Sequence, residues 1–476
     1  MIADRPTTTA ADITAIFDEQ RRRYRAQPNP PIADRRAKLE RLERALRNHR
    51  NELKSALEAD FRKSADESEF TELIVTLAEL KYARAKLAAW AKPQKVETPL
   101  MVFGSHAELR YEPKGVVLVL SPWNYPVYLT LAPLIAAIAA GNRVIVRPSE
   151  KAPATRDVLA SIIAEAFVPH DVAWVGGEVE TATELLKLPF DHIFFTGSTR
   201  VGKIVMRAAA EHLASVTLEL GGKSPCIIDA AADITHASSR VAWGKFMNGG
   251  QTCVAPDYVL VHESVERPFL DGLARSVAKM YGDSDDARKT TPDFCRMIDD
   301  GHFKHIDGLL SATVHGGAKV EVGGQSDASQ RYIAPTVLSN VGFDAPIMSE
   351  EIFGPVLPVL TYSSLDDALA QINARPKPLA LYAFSKHDKT VEKILDGTSA
   401  GGTLVNDTIL HLANHNLPFG GIGESGLGSY HGIFGFKAFS HERAVMRQTK
   451  ASLAPMLAPP YNGKTRAMMA MLERLP

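Results

Sequence analysis

The sequence predicts an α/β fold built around a doubly wound parallel sheet. Two observations carry this reading. From residue 116 onward, short apolar runs at 116–120, 144–146, 173–175, 193–195 and 216–220 alternate with helical stretches. Strands separated by single helices pair in parallel. A second α/β pattern opens near Ser224, includes Cys226-Ile227-Ile228 and Val259-Leu260-Val261, and runs past Pro355. The 476 residues are enough for two or three domains with ample core.

A helical section comes first. Leu39, Leu42, Leu46, Leu53 and Leu57 fall at helical spacing, as do Phe70, Leu73, Ile74, Leu77, Leu80 and Leu87. Ser64-x-x-Glu67 is a capping box at the start of the second group. Pro28, Pro30 and Pro31 punctuate the earlier helices, and Pro93 and Pro99 end the section. Residues 102–103 and 109–111 then read as a short hairpin around Gly104-Ser105. The longest uncharged run, 115–142, is long enough to span a membrane, but Pro122, Asn124, Pro126 and Pro133 interrupt it. It reads as a buried strand, a turn and a buried helix. The tail after Arg447 is proline-rich, with a Met-rich helix candidate at 465–475.

Composition excludes several classes. The net charge is −1, which gives no footprint for nucleic acid or an anionic membrane. The basic run Arg21-Arg22-Arg23-Tyr24-Arg25 reads as a solvated helix face. Cys226, Cys253 and Cys295 lack any CxxC spacing, which fits a reducing cytoplasm. Met1 to Pro6 shows no signal-peptide pattern.

The chemistry concentrates around one thiol. Cys253 ends the flexible stretch Gly249-Gly250-Gln251-Thr252-Cys253, where backbone donors can approach it closely. A thiol is mostly protonated at neutral pH, so a nucleophilic Cys253 needs local help. Glu219, followed by Leu220-Gly221-Gly222, is either a general base or a strand-end carboxylate bonded to backbone. Asn124 either caps a helix beginning near Tyr125 or donates to a developing oxyanion. Glu150, in Arg147-Pro148-Ser149-Glu150, stands where an acid can hold a ribose hydroxyl, or is a first-turn helix acid. The first strand ends in Ser121-Pro122-Trp123-Asn124-Tyr125-Pro126, with no glycine fingerprint. The glycine turn comes later, as Gly197-Ser198-Thr199-Arg200-Val201-Gly202 before a helix N-terminus. Its P-loop likeness fails at Ile204, where Ser or Thr must hold Mg²⁺. His411-Leu412-Ala413-Asn414-His415 has zinc-like spacing but lacks the glutamate of H-E-x-x-H, so no metal site is assigned. Cys226 reads as inert core, and Cys295 has an uninformative context.

Together these segments resemble the aldehyde dehydrogenase superfamily. The markers, in order, are Pro122 to Pro126, Arg147 to Glu150, Phe195 to Gly202, Leu218 to Lys223, Gly250 to Cys253, Glu351-Ile352-Phe353-Gly354-Pro355 and Pro418-Phe419-Gly420-Gly421. Finer features are similar to the class 3 branch, near coniferyl aldehyde dehydrogenases: Ala255 to Val259, Pro378 to Tyr382, Asn406-Asp407-Thr408 and Gly428 to Gly432. The resemblance implies a Rossmann-type cofactor domain (1–95 and 114–221), a catalytic α/β domain (222–424), a bridging hairpin for dimerisation (96–113 and 425–452) and a tail (453–476). It implies NAD, with NADP possible, held by Ser121, Pro122, Trp123, Arg147, Ser149, Glu150, Gly197, Ser198, Thr199, Gly202, Leu220, Gly221, Glu351 and Phe353. Arg147 stands where the family usually has Lys, which bears on the choice between the two. It also implies an aldehyde substrate, Cys253 as nucleophile, Asn124 as oxyanion donor, Glu219 as general base and a cytoplasmic homodimer. Tyr125, Tyr128, Phe246 and Met247 either form an apolar tunnel for aromatic or medium-chain aldehydes or are ordinary core. A CoA-acylating relative would lack the base Glu219, and a non-catalytic protein on this fold would not need Cys253.

Overall fold

The structure, a computed structural model, describes residues 7–473. Two sheets organise the chain. The first has six strands in the order Gly426–Leu427, Ser215–Glu219, His192–Thr196, Val116–Leu120, Arg143–Arg147, Val172–Trp174. All its pairings are parallel except the short Gly426–Leu427 edge. Alternation within the central strands explains their continuous apolar runs. Val117, Val119, Val144, Val146 and Phe194 join the core on one face, and Val116, Leu118, Leu120, Ile145, Ile193 and Phe195 join the core on the other. A strand covered on both faces has no side left for polar residues.

The second sheet has seven strands: Lys319–Val322, Thr336–Ser339, Val356–Tyr362, Tyr258–His262, Pro225–Ile228, Ala380–Phe384 and Gly402–Val405. Only Lys319–Val322 runs antiparallel. A third, antiparallel sheet joins Gln94–Val96, Ser105–Pro113 and Ser440–Gln448.

The uncharged run folds as a strand, a turn and the buried helix Tyr128–Ala140. Pro133 lies inside that helix rather than ending it. Among the described residues, no helix is long and apolar enough to cross a membrane. The arginine run sits on helix Ala10–Ala26, where Arg22 and Arg23 pair with Glu19. The Met-rich helix is Gly463–Glu473; Leu475, like Met1 to Pro6, lies outside the described residues.

Four expectations change. Leu39, Leu42, Leu46, Leu53, Leu57, Leu73, Leu77, Leu80 and Leu87 are buried, but Phe70 and Ile74 are each 48 % exposed. The helix carries a π-helical segment, Glu69–Ile74, whose extra residue per turn rotates Thr71, Glu72 and Leu73 inward instead. Only half of the capping box forms: Ser64 accepts from Glu67 N–H at 3.2 Å, while the Glu67 carboxylate accepts from Asn248 N–H at 2.6 Å. No hairpin turns at Gly104-Ser105, because Leu100–Val102 is a 3₁₀ turn and Ser105–Pro113 pairs with Gln94–Val96 and Ser440–Gln448. Finally, part of 425–452 leaves the bridging sheet, since Gly426–Leu427 pairs with Leu218 and Glu219.

Long-range caps tie the N-terminal helices to the first sheet. Asp60, on helix Arg50–Phe61, accepts from Ala154 N–H (3.0 Å), Thr155 N–H (2.9 Å) and Thr155 Oγ1 (2.7 Å) at the start of helix Pro153–Ala166. Asp60→Ala orphans those donors and is expected to cost about 1–2 kcal/mol, as lost helix caps do. Urea unfolding checks it, and an unchanged midpoint would refute the capping role.

Candidate active site

Parallel strands deliver their loops to one edge, and ligands gather at that edge. Here the ends of Val116–Leu120, His192–Thr196 and Ser215–Glu219 face two loops of the second sheet, 247–253 and 351–353. Between them lies a cavity of about 270 Å³. The first sheet lines it with Pro122, Trp123, Asn124, Gly197, Ser198, Glu219, Leu220 and Gly221. The second lines it with Cys253, Glu351 and Phe353. Residues as distant in the chain as Pro122 and Phe353 thus share one space, and most of them stand out by their motifs.

Backbone geometry sets Cys253. Helix Ile234–Phe246 ends, and Asn248 (φ 56°), Gly249 (φ 60°) and Gly250 (φ 74°) follow in left-handed conformations. A Cβ at Gly250 would stand 2.3 Å from the Gly354 carbonyl, so only glycine fits there. The side chain of Gln251 then ties the loop down. Its Nε2 donates to the carbonyls of Asn248 and Arg296, and its Oε1 accepts from Ile298 N–H. Cys253 is left partly exposed at the cavity, while Cys226 and Cys295 are buried.

Glu219 ends its strand with its carbonyl bonded to Gly197 N–H at 3.0 Å. Its side chain is 2 % exposed, and neither carboxylate oxygen has a hydrogen-bond partner among the described residues. The reading as a carboxylate bonded to backbone therefore does not hold for its side chain. Burial pushes its carboxyl well above the usual range. Burial, then the carboxyl groups of Glu351 and Glu219, pushes the Cys253 thiol up to about 12. Glu351 is pushed up to about 8, mainly by burial, against a hydrogen bond from Gly222 N–H that favours its charged form.

Asn124 does not cap a helix, because that helix starts at Tyr128. Its Nδ2 donates to the Gln251 carbonyl at 3.0 Å, and its own carbonyl accepts from Asn248 Nδ2 at 2.9 Å. The amide is therefore fixed beside the Cys253 loop. Phe353 holds a left-handed φ of 53° and meets Trp123 edge-on at 5.5 Å. Its carbonyl bonds His302 Nε2 at 2.8 Å. A bulky residue at such a φ is strained and persists only where its surroundings hold it.

The remaining sequence-marked residues make contacts of their own, Ser198 at the cavity and the others outside its lining. Ser121 Oγ bonds Thr130 Oγ1 at 2.6 Å. Arg147 pairs with Glu150 at 2.7 Å and donates to the carbonyls of Gly177 and Glu178, so the two residues are partners rather than independent rivals. Ser149 Oγ accepts from Lys151 N–H. Ser198 caps helix Thr199–Ala210, and Thr199 Oγ1 donates to the Glu424 carbonyl. Gly202 allows close packing, since a Cβ there would meet Leu220 Cδ2 at 2.6 Å. Tyr125, Phe246 and Met247 are buried and Tyr128 is partly buried against the core, and none of the four lines this cavity. Tyr125 bonds Thr252 Oγ1, and Tyr128 bonds His431 Nε2.

Leu129, His302 and His305 also line the cavity, and no sequence motif marked them; Thr196 and Ile352, inside the markers Phe195 to Gly202 and Glu351 to Pro355, line it too without having been given a role. Leu129 lies in an uncharged helix, Tyr128–Ala140, whose hydroxyls on Tyr128 and Thr130 offer little contrast to read. His302 follows Asp299, whose carboxylate caps helix Asp300–His315 by accepting from His302 N–H at 2.7 Å, so locally it looks like a helix start. His411 and His415 hold no metal cluster with other side chains among the described residues. His415 pairs with Glu79 at 2.7 Å and stacks on Tyr82.

With its pKa raised, Cys253 in the protein alone should alkylate slowly with iodoacetamide at pH 7. The rate should climb about tenfold per pH unit through pH 9, following the thiolate fraction. Mass mapping of the adduct checks this, and a rate that flattens above about pH 8.5 would mean an ordinary thiol.

Known proteins agree with the geometry. The profile of the Aldehyde dehydrogenase family matches residues 1–445. "Aldehyde dehydrogenase family 3 member B1" of Rattus norvegicus is 44 % identical over 92 % of this chain and 93 % of its own length. "Aldehyde dehydrogenase, dimeric NADP-preferring" of Canis lupus familiaris is 43 % identical over 91 % and 94 %. The solved structure described as the substrate-bound state of Staphylococcus aureus AldH superposes with a TM-score of 0.93 at 42 % identity, covering 96 % of this chain and 99 % of that one. With a nucleophile loop, an unpartnered buried carboxyl and a glycine-lined cavity at the meeting of two sheets, this chain belongs to the aldehyde dehydrogenase family, on its class 3 side, and is an aldehyde-oxidising oxidoreductase.

Proposed function

We propose that the protein oxidises an aromatic or medium-chain aldehyde to its carboxylic acid through a Cys253 thioester, with NAD⁺ preferred over NADP⁺. Cys253, Glu219 and Asn124 around one cavity are the observation that carries this reading. On it, the six-stranded sheet carries the cofactor and the seven-stranded sheet the nucleophile. The dimer would form through the antiparallel sheet of Ser105–Pro113 and Ser440–Gln448. The enzyme would work in the cytoplasm.

The residues fit a nicotinamide dinucleotide. Gly221 leaves room for the Glu351 carboxyl, whose Oε2 would stand 1.9 Å from a Cβ there, so that carboxyl can sit at the cavity wall. Ser198 presents a helix N-terminus, which favours phosphate. Gly197, Ser198, Leu220 and Gly221 would hold the dinucleotide, Glu351 its nicotinamide ribose, and Phe353 the ring. When bound, the cofactor supplies the two-electron acceptor.

The protein's own steps follow from the site. Cys253 sulfur bonds to the aldehyde carbon, and its proton must leave to a base. The oxygen that gains charge is met by Asn124 Nδ2–H and the Cys253 backbone N–H. Loss of two electrons and the carbonyl-carbon hydrogen leaves a thioester on Cys253. Glu219 takes a proton from water, which attacks the thioester and releases acid and thiol. A buried carboxyl with raised pKa is a stronger base once ionised, so the dry setting of Glu219 suits this role.

Three experiments test the reading. Cys253→Ala should abolish turnover with benzaldehyde and hexanal while keeping NAD⁺ affinity. Glu219→Gln should give a burst of NADH near one per site, slow turnover, and an acyl adduct on Cys253 by intact mass. Full steady-state turnover in Glu219→Gln would exclude it as the base. Addition of CoA should not accelerate the wild type, which separates hydrolysis from CoA acylation.

Cofactor choice rests on the Arg147–Glu150 pair. Glu150 repels a 2′-phosphate and occupies the Arg147 guanidinium, so kcat/KM should be higher with NAD⁺. Glu150→Ala frees Arg147 and should narrow that gap. A wild-type preference for NADP⁺, as named for the canine relative, would mean that Arg147 dominates.

A further inference from the structure

We propose that Lys63, Glu67 and Glu72 form a clamp that positions the Asn124 and Cys253 loops against each other, a claim that rests on the roles just given to those two residues. The clamp is built on helix-section residues outside the cavity. The π-helical segment Glu69–Ile74 turns Glu72 inward, where it is fully buried. Glu72 Oε1 pairs with Nζ of Lys63, also fully buried, at 3.0 Å. Glu72 Oε2 accepts from Val127 N–H (3.1 Å) and Tyr128 N–H (2.9 Å). Those donors open the buried helix Tyr128–Ala140, whose N-cap residue Val127 makes no side-chain cap. Glu72 therefore caps that helix from across the core, three residues beyond Asn124.

The same section grips the nucleophile loop. Glu67 Oε1 accepts from the N–H of Asn248, the first of the left-handed residues before Cys253. Asn248 Nδ2 then donates to the carbonyls of Asn124 (2.9 Å) and Gln251 (3.1 Å). Lys63 Nζ lies 4.2 Å from the centroid of the Tyr125 ring, and Tyr125 OH bonds Thr252 Oγ1 at 2.6 Å. Each loop is thus held by a carboxylate, and the two are cross-linked by Asn248 and Tyr125.

Stability alone does not account for this arrangement. A buried ion pair is often matched or bettered by apolar side chains of the same volume. What apolar side chains lack is an acceptor aimed at chosen N–H groups. Here the acceptors fall on the loops that carry Asn124 and Cys253, where small misplacements are costly to rate.

Two double variants separate position from stability. Lys63→Met/Glu72→Gln removes both charges and keeps an acceptor for the Val127 and Tyr128 N–H groups. Lys63→Met/Glu72→Leu removes the charges and the acceptor. Full-length proteins, each also carrying Glu219→Gln so that the NADH burst is resolved, are compared by the first-order stopped-flow burst rate with benzaldehyde. The burst rate should be about 10- to 100-fold lower for the Leu variant than for the Gln variant, the usual cost of misplaced groups. KM for NAD⁺ should match in the two. Equal burst rates would overturn the clamp. If the Leu variant does not fold, Glu67→Gln against Glu67→Met makes the same comparison at Asn248, and equal burst rates there likewise overturn it. Cys253→Ala runs alongside. If it is inactive while the Gln and Leu variants match, the clamp alone fails; if it is active, the catalytic reading fails and the clamp with it.

Discussion

The left-handed path of residues 248–250 is the constraint on which the site depends. An L-amino acid at such a φ is disfavoured, and two of the three positions are glycine for that reason. The path brings Gly250 against the Gly354 carbonyl and leaves Cys253 facing the end of strand Ser215–Glu219. A loop in this conformation has no regular ladder of its own. Its polar groups are satisfied by Gln251 of the loop itself and by Glu67, Asn124 and Arg296, drawn from three separate parts of the chain. The nucleophile is placed largely by groups that have no part in its chemistry.

Burial supplies the second organising effect. Removing water from the cavity disfavours every anion in it, and the thiol of Cys253 and the carboxyls of Glu219 and Glu351 all shift upward. Glu219 is the extreme case, because nothing among the described residues bonds its oxygens. A structural carboxylate at a strand end would be expected to find backbone N–H groups. A carboxyl kept without them is destabilised as an anion and reactive toward protons, which is what a base for water requires.

Where local pattern and structure disagree, a distant partner explains the difference. Phe70 and Ile74 obey helical spacing, yet the π turn exposes them because Glu72 is drawn inward to Lys63 and the Val127 and Tyr128 N–H groups. Glu67 leaves its capping box for Asn248. The turn at Gly104 is real, with φ 81°, but the strand after it finds better partners far away at Ser440–Gln448. Tyr125 and Tyr128 read from the sequence as apolar tunnel or as core, and the structure commits their hydroxyls to Thr252 and His431, far away in the chain.

By itself the sequence determined the alternation of strands and helices, the motif order and the identity of the chemical groups. Those are local properties: five apolar residues bounded by turns make a buried strand, and glycine before a cysteine permits an unusual backbone. Five strands of the first sheet lie within one residue of their sequence limits. The tertiary structure alone decided which groups share the cavity and how they are charged. His302 and Leu129 enter it, Arg147 pairs with Glu150 outside its lining, and Glu219 is left dry and unpartnered among the described residues. Such outcomes depend on distance and desolvation between residues far apart in the chain, and neither quantity is carried by local spacing.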